Sequence, residues 1–159
     1  MLFRSMIIWL TGQPGSGKTT LANELISYFK KEGGPKKIIN LDGDDLRNIN
    51  KNKDYSKEGR IKNISTAISI LRFLANKDFL CIVSIVAPYR FLRDELKSEF
   101  PFIEVYLHTS EERGREHYFA DDYEVPLDDH ISIDTGNLNI KEARDEILNV
   151  YRSEEHTSE

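Results

Sequence analysis

An eight-residue loop near the N-terminus limits the folds open to this chain more than any other feature of its sequence. The loop matches the pattern G-x-x-x-x-G-K-[ST] at every fixed position. Its sequence is Gly12-Gln13-Pro14-Gly15-Ser16-Gly17-Lys18-Thr19. An apolar run over residues 6–11 precedes it and predicts a buried strand, and apolar residues at helical spacing follow over 19–32. This context predicts a phosphate-binding loop; a glycine turn between a strand and a helix is the alternative.

The residue types of the loop explain how it would hold a phosphate chain. Glycines let the backbone curl so that successive N–H groups point inward, and the following helix adds its positive N-terminus. Lys18 would neutralise the β and γ phosphates, while the Thr19 hydroxyl would bind magnesium. We therefore predict ATP and Mg²⁺ as cofactors. The predicted ATP-binding residues are Gly12, Gln13, Pro14, Gly15, Ser16, Gly17, Lys18, Thr19 and Thr20.

Composition limits the class of protein further. The 159 residues are 39% hydrophobic and 31% charged, which is typical of one globular domain. A net charge of −5 argues against a generally basic nucleic-acid binder, so no nucleic-acid partner is expected. The single cysteine suits a reducing compartment, and no apolar run is long enough to span a membrane. We expect a cytoplasmic enzyme.

Apolar runs alternate with amphipathic segments, which predicts the α/β class: a P-loop NTPase fold with a five-stranded, mainly parallel sheet flanked by helices. The predicted strands are residues 6–11, 37–41, 80–86, 102–107 and 131–134. The predicted helices are residues 19–32, 56–76, 91–99 and 141–151. Residues 48–54 are predicted to be a loop.

The C-terminal residues 152–159 resemble one translated frame of a common sequencing adapter. We expect a domain over residues 1–151 followed by a non-native tail. An ordinary polar tail is the alternative.

Among proteins with such a loop, the sequence favours a kinase for a small acceptor. The base-reading N-K-x-D of GTPases is absent, since the nearest string, which begins at Asn52, has Tyr55 in its fourth position. The strand at 80–86 does not end in an aspartate, unlike the corresponding strand of many ATPases. The glycine spacing also differs from the dinucleotide pattern G-x-G-x-x-G.

Polar residues after the other strands supply the predicted acceptor side, because ligands bind at the carboxyl ends of parallel strands. Asp42 ends the second strand, and a carboxylate there can accept the acceptor's proton or hold magnesium through water, a task that Asp44 can share. Arg47 would bind an anionic acceptor. The alternative for the carboxylates is a turn with a helix N-cap at Asp44 or Asp45.

Further cations follow on the same edge. Arg60 and Asn63 share one helix face, and Arg90 and Arg93 follow the strand at 80–86. These side chains predict an anion site. The alternative interpretation is that these side chains belong to an ordinary solvated surface.

Four blocks of the sequence, in order, resemble adenylyl-sulfate kinases over residues 6–150. The blocks are Gly12 to Thr19, Asp42-Gly43-Asp44-x-x-Arg47, Tyr55-Ser56-x-x-x-Arg60-x-x-Asn63-Ile64 and Ser84-x-x-x-Pro88-Tyr89-Arg90. The resemblance implies transfer of the ATP γ-phosphate to the 3′-hydroxyl of adenosine 5′-phosphosulfate, a small anionic nucleotide.

The resemblance also implies the roles of individual residues. Lys18, Asp42 and Asp44 would be catalytic, with Asp42 as the base and with Thr19 and Asp44 on the magnesium side. Tyr55 would stack on the acceptor's adenine. The residues expected to bind the acceptor are Arg47, Tyr55, Arg60, Asn63, Arg90 and Phe119.

The chain departs from the family in a lid region compressed into residues 112–126. There Phe119 would be a second aromatic that stacks on adenine, or alternatively a residue that only packs against its apolar neighbours. Arg113 or Arg115 would reach the transferred phosphate. Ala87 replaces a serine of many relatives, so direct transfer is expected. The alternative functions are a kinase that acts on another small hydroxylated, nucleotide or polynucleotide acceptor, and a non-catalytic ATP-binding module. Association into a homodimer is left open.

Overall fold

The computed structural model describes residues 5–157, in which five strands form one sheet with the order β2-β3-β1-β4-β5. The strands are β1 (Met6–Thr11), β2 (Ile38–Asp42), β3 (Leu80–Ser84), β4 (Phe102–His108) and β5 (Ile131–Asp134). The helices are α1 (Lys18–Glu32), α2 (Gly43–Asn50), α3 (Lys57–Ala75), α4 (Arg90–Lys97) and α5 (Ile140–Thr157), with a short 3₁₀ helix at Glu116–Tyr118.

Every pairing in the sheet is parallel, which confirms the predicted α/β fold. Near the carboxyl end of β1, Leu10 lies opposite Ser84 of β3 and Val105 of β4. The loop that follows β1 therefore emerges between the carboxyl ends of its two neighbours. This is the edge at which open parallel sheets bind ligands.

Alternating side chains of β1 build a core on each face of the sheet, because successive residues of a strand point to opposite faces. Ile8 and Leu10 pack with buried residues of α1 and α5. Ile7 and Trp9 pack with those of α3 and α4. Helices thus cover both faces and hold the central strands rigidly below the carboxyl edge.

Helix α2 was not predicted, and its last residues, up to Asn50, lie in the segment 48–54 that was predicted to be a loop. Asp42 is its N-cap, and its carboxylate accepts a hydrogen bond from the Asp44 backbone N–H at 2.9 Å. A helix N-cap at Asp44 or Asp45 was the alternative predicted from the sequence; the helix is capped, but by Asp42, so that alternative named the wrong residue. Since Leu46 is the only buried residue of α2, the segment carries no repeating apolar signal.

The last helix runs beyond the predicted domain end at residue 151 and continues to Thr157. The non-native origin of residues 152–159 stays a prediction, and residues 158 and 159 lie outside the described part of the chain. Strand β3 is two residues shorter than predicted. No helix among residues 5–157 is both long enough and apolar enough to cross a membrane.

Candidate active site

The loop between β1 and α1 has the backbone shape that its glycines predict. Gly15 and Gly17 have φ angles of 83° and 103°, in the left-handed region that favours glycine. A Cβ atom at Gly12 would lie 2.3 Å from the carbonyl oxygen of Leu107 on β4. The loop can therefore curl against the sheet only with these residues, and α1 begins directly after it at Lys18.

Lys18 lies in the concave side of this loop. Its Nζ donates to the carbonyl oxygens of Gly12 at 3.0 Å and Gln13 at 2.9 Å. Burial lowers the pKa of Lys18 to about 7, although the carboxylates of Asp42 and Asp44 act in the opposite direction. The ammonium is thus held inside the loop, where a bound phosphate chain would meet it.

Asp42 links the loop to the neighbouring strands. Its Oδ2 accepts hydrogen bonds from the hydroxyls of Thr19, at 2.7 Å, and Ser84, at 2.9 Å. Its Oδ1 is used by the N-cap contact to Asp44. Asp42 is buried, whereas the Asp44 side chain is exposed at the start of α2. The two carboxylates are therefore in different environments.

A cavity of about 350 Å³ separates the phosphate loop from α3. It brings together most of the predicted site residues. The predicted residues that line it are Pro14, Gly15, Gly17, Lys18, Thr19, Thr20, Asp42, Asp44, Arg47, Tyr55, Arg60, Asn63, Arg113 and Arg115. The predicted residues that do not are Gly12, Gln13, Ser16, Arg90 and Phe119.

An aromatic pair stands beside the acceptor side of the cavity, which Tyr55 lines and Tyr118 does not. The ring centroids of Tyr55 and Tyr118 are 5.3 Å apart, and the guanidinium of Arg47 lies 4.1 Å from the Tyr55 centroid. Arg47 also donates to the backbone oxygen of Asp54 at 2.9 Å. The pair thus combines an aromatic surface with a fixed positive charge.

Arg60 and Asn63 lie one helical turn apart on the buried side of α3. Arg60 donates to the backbone oxygens of Tyr55 and Tyr118, both at 2.8 Å. Asn63 is 3% exposed, and its Oδ1 has no hydrogen-bond partner among the described residues. An orphaned polar atom beside a cavity is a typical feature of a ligand-binding position.

Arg90 and Phe119 have other surroundings. The guanidinium of Arg90 lies 3.7 Å from the carboxylate of Glu124, and Phe119 is 41% exposed. Tyr118, which the sequence analysis missed, is the aromatic residue that faces Tyr55. The 3₁₀ turn determines which of the two adjacent aromatics contacts Tyr55, although both are exposed, Tyr118 at 37%, and neither lines the cavity. No periodic pattern in the sequence signals that turn.

Residues 112–126, which we call the lid, are fastened at their C-terminal end to the protein body. The Tyr123 hydroxyl lies 2.7 Å from that of Thr11, directly before the phosphate loop. Burial raises the pKa of Tyr123. The fully buried Arg93 donates to the carbonyl oxygens of Glu124 and Ala87, both at 2.6 Å. Ala87 lines the cavity, so this anchor connects the lid with the cavity wall.

Comparisons with known proteins agree with this geometry. A family model described as Adenylylsulphate kinase matches residues 4–142. An adenylyl-sulfate kinase of Lactiplantibacillus plantarum is 30% identical, with 96% of this chain and 83% of that protein covered. A probable adenylyl-sulfate kinase of Aeropyrum pernix is 34% identical over 67% of this chain, but only 61% of that relative is covered.

Among solved structures, a hexameric APS kinase from Thiobacillus denitrificans is similar with a TM-score of 0.78 and 27% identity. The match covers 96% of this chain and 30% of that longer one. The family model spans most of the chain and includes the phosphate loop, the two carboxylates and the lid. The chain therefore belongs to the adenylylsulphate kinase family.

Proposed function

We propose that this protein transfers the γ-phosphate of ATP to the 3′-hydroxyl of adenosine 5′-phosphosulfate. The observation that carries the proposal is the composition of the one cavity described above. Its donor side holds Lys18 and Thr19 of the phosphate loop, and its acceptor side holds Arg47, Arg60 and Tyr55, whose ring lies beside that of Tyr118. Such a cavity suits a phosphate chain on one side and an anionic nucleotide on the other.

The oxygen ligands near the phosphate loop fit Mg²⁺. The Thr19 hydroxyl is 2.7 Å from Asp42, and Mg²⁺ prefers few protein oxygens together with water and phosphate. When bound, Mg²⁺ would neutralise charge on the transferred phosphate.

The two carboxylates are then assigned by their contacts. Asp42 is occupied by three hydrogen bonds, one of them from Thr19, so we place it on the magnesium side. Asp44 has an exposed side chain that lines the cavity, so we assign it as the base for the acceptor hydroxyl. This division reverses the one that the sequence suggested.

The acceptor is proposed to lie between the aromatic pair and the arginines. Tyr55 and Tyr118 would hold its adenine, and Arg47 and Arg60 its phosphosulfate. The unpartnered Oδ1 of Asn63 gives the same region a further polar contact. Arg113 and Arg115 line the donor side of the cavity and would act on the transferred phosphate.

Two coarser expectations accompany this proposal. A homodimer stays a prediction, and the similar kinase of T. denitrificans is described as hexameric. A cytoplasmic location stays a prediction from the single cysteine and the absence of a long apolar run in the sequence.

A panel of acceptors tests the function. The protein is incubated with γ-labelled ATP, Mg²⁺ and, separately, adenosine 5′-phosphosulfate, its 3′-deoxy analogue, a sugar and a 5′-hydroxyl oligonucleotide. We expect label on the phosphosulfate but not on the 3′-deoxy analogue. Label on the sugar or the oligonucleotide alone would assign another acceptor. Tight ATP binding without any transfer would instead indicate a non-catalytic module.

A further inference from the structure

The side chain of Gln13, in the phosphate loop, pairs with the backbone of the lid. Its Nε2 donates to the carbonyl oxygen of Ala120 at 2.8 Å, and its Oε1 accepts from the Ala120 N–H at 2.9 Å. Ala120 is buried, so its backbone groups need protein partners: its N–H has Gln13, and its carbonyl oxygen accepts from Gln13 and, at 3.3 Å, from the Tyr123 N–H. A carboxamide carries its donor and its acceptor on adjacent atoms, so it can pair with the N–H and the carbonyl oxygen of one residue together.

A second contact fastens the lid to the same loop. Arg113 donates from Nη1 to the carbonyl oxygen of Gly15 and to the hydroxyl of Thr135, both at 3.1 Å. The Thr135 hydroxyl in turn donates to the carbonyl oxygen of Ser16 at 2.7 Å. The phosphate loop therefore touches the lid at two points, one on each side of residues 114–119.

The stretch between these two points reaches both halves of the cavity. Arg115 lines it close to the phosphate loop, where a Cβ on Gly15 would lie 3.3 Å from the Arg115 Cβ. Tyr118 contacts two residues that line the acceptor side, because Arg60 donates to its carbonyl oxygen and its ring lies beside Tyr55. The contacts of Arg113 and Ala120 therefore fix the two ends of the stretch that carries both side chains.

We infer that Gln13 is a positioning residue that couples the donor and acceptor sites by holding the lid against the phosphate loop. This role differs from phosphate binding, because the Gln13 carboxamide points to Ala120 and does not line the cavity. The inference rests on the proposed function for the identity of the two ligands. The contact itself does not depend on that identity.

The test uses Gln13→Met, which keeps the length of the side chain and removes both hydrogen bonds. The affinity for adenosine 5′-phosphosulfate is measured with and without a non-hydrolysable ATP analogue. In the original protein we expect each ligand to strengthen the binding of the other, and thermodynamic reciprocity makes that coupling the same in both directions. We expect Gln13→Met to reduce this coupling about tenfold, from the loss of two hydrogen bonds.

Two further variants control for loss of structure. Gln13→Glu keeps an acceptor for the Ala120 N–H but sets a carboxylate oxygen against the Ala120 carbonyl, so we expect intermediate coupling. Asn76→Ala removes an exposed amide at the end of α3 and should change no binding constant. A general loss of structure would instead lower both separate affinities and leave their coupling unchanged.

Hydrogen exchange at the Ala120 amide separates the two proposals. Gln13→Met should increase that exchange rate about tenfold while the core strands keep their protection. Unchanged exchange together with unchanged coupling would overturn the role of Gln13 and leave the proposed function intact. Failure of the original protein to bind adenosine 5′-phosphosulfate would overturn the function, and exchange at Ala120 would still decide whether Gln13 holds the lid.

Discussion

Replacing Arg93 by methionine removes a guanidinium that joins three parts of the fold. Arg93 has no exposed surface and pairs with the buried Glu104 of β4 at 2.8 Å. It also donates to the carbonyl oxygens of Ala87, in the cavity wall, and Glu124, in the lid. Methionine has a similar length but donates no hydrogen bond, so the substitution breaks all three contacts at once.

The size of the effect follows from what remains buried. Removing one partner of a buried ion pair costs about 3–5 kcal/mol. Lys97 lies 2.6 Å from the other oxygen of Glu104 and still compensates its charge, which reduces the cost. The two carbonyl oxygens that lose their donor add about 1–3 kcal/mol each. We therefore expect the free energy of unfolding to fall by at least about 4 kcal/mol, a large part of the usual 5–15 kcal/mol.

Urea denaturation followed by the fluorescence of Trp9, the single and fully buried tryptophan, measures this change. The matched control is Arg72→Met, because Arg72 pairs with Glu95 and Glu99 on the exposed surface of α3 and α4. Exposed pairs contribute little, so this variant should unfold like the original protein. Arg93→Lys provides an intermediate case if Arg93→Met does not fold. Equal loss of stability in the Arg93 and Arg72 variants would refute the reasoning.

Three further predictions concern the site. Because burial lowers the pKa of Lys18 to about 7, its side chain loses its charge as the pH rises through 7. ATP binding at pH 8.5 should therefore restore that charge and take up about one proton, whereas binding to Lys18→Met should take up none. Calorimetry in buffers of different ionisation enthalpy measures this uptake. Asp44→Asn should lower kcat by about 10²–10⁴-fold with little change in the KM for ATP, whereas Asp42→Asn should weaken the Mg²⁺ dependence of the rate. Tyr118→Ala should raise the KM for adenosine 5′-phosphosulfate about tenfold and Phe119→Ala should not; the reverse order would exclude the Tyr55–Tyr118 pair.

The fold was predictable because its signals are strong and local. The phosphate loop has fixed residues at fixed spacing, and the strands at 80–86 and 102–107 are continuous or alternating apolar runs between helical patterns. The order of these segments is sufficient to predict a parallel sheet with helices on both faces. Helix α2 escaped prediction because eight residues with one buried side chain provide no period to recognise.

The positions of the site residues were predictable only where the order of the strands and helices along the chain determines them. Asp42 and Arg60 follow from the topology, since they lie at the carboxyl edge of the sheet. The contacts of Gln13 with the lid and of Arg93 with Glu104 join segments distant in sequence, and nothing local signals such contacts. The proposed division of roles between Asp42 and Asp44 likewise rests on hydrogen bonds that only the folded chain forms.

The position of the transferred phosphate tests the central claim most directly. The protein is incubated with ATP, Mg²⁺ and adenosine 5′-phosphosulfate, and the product is analysed by ³¹P NMR, with Lys18→Ala as the comparison and circular dichroism as the check of folding. We predict a new phosphate on the 3′-oxygen with the original protein and none with the folded variant. Absence of that product from the original protein, or its undiminished formation by Lys18→Ala, would contradict the account.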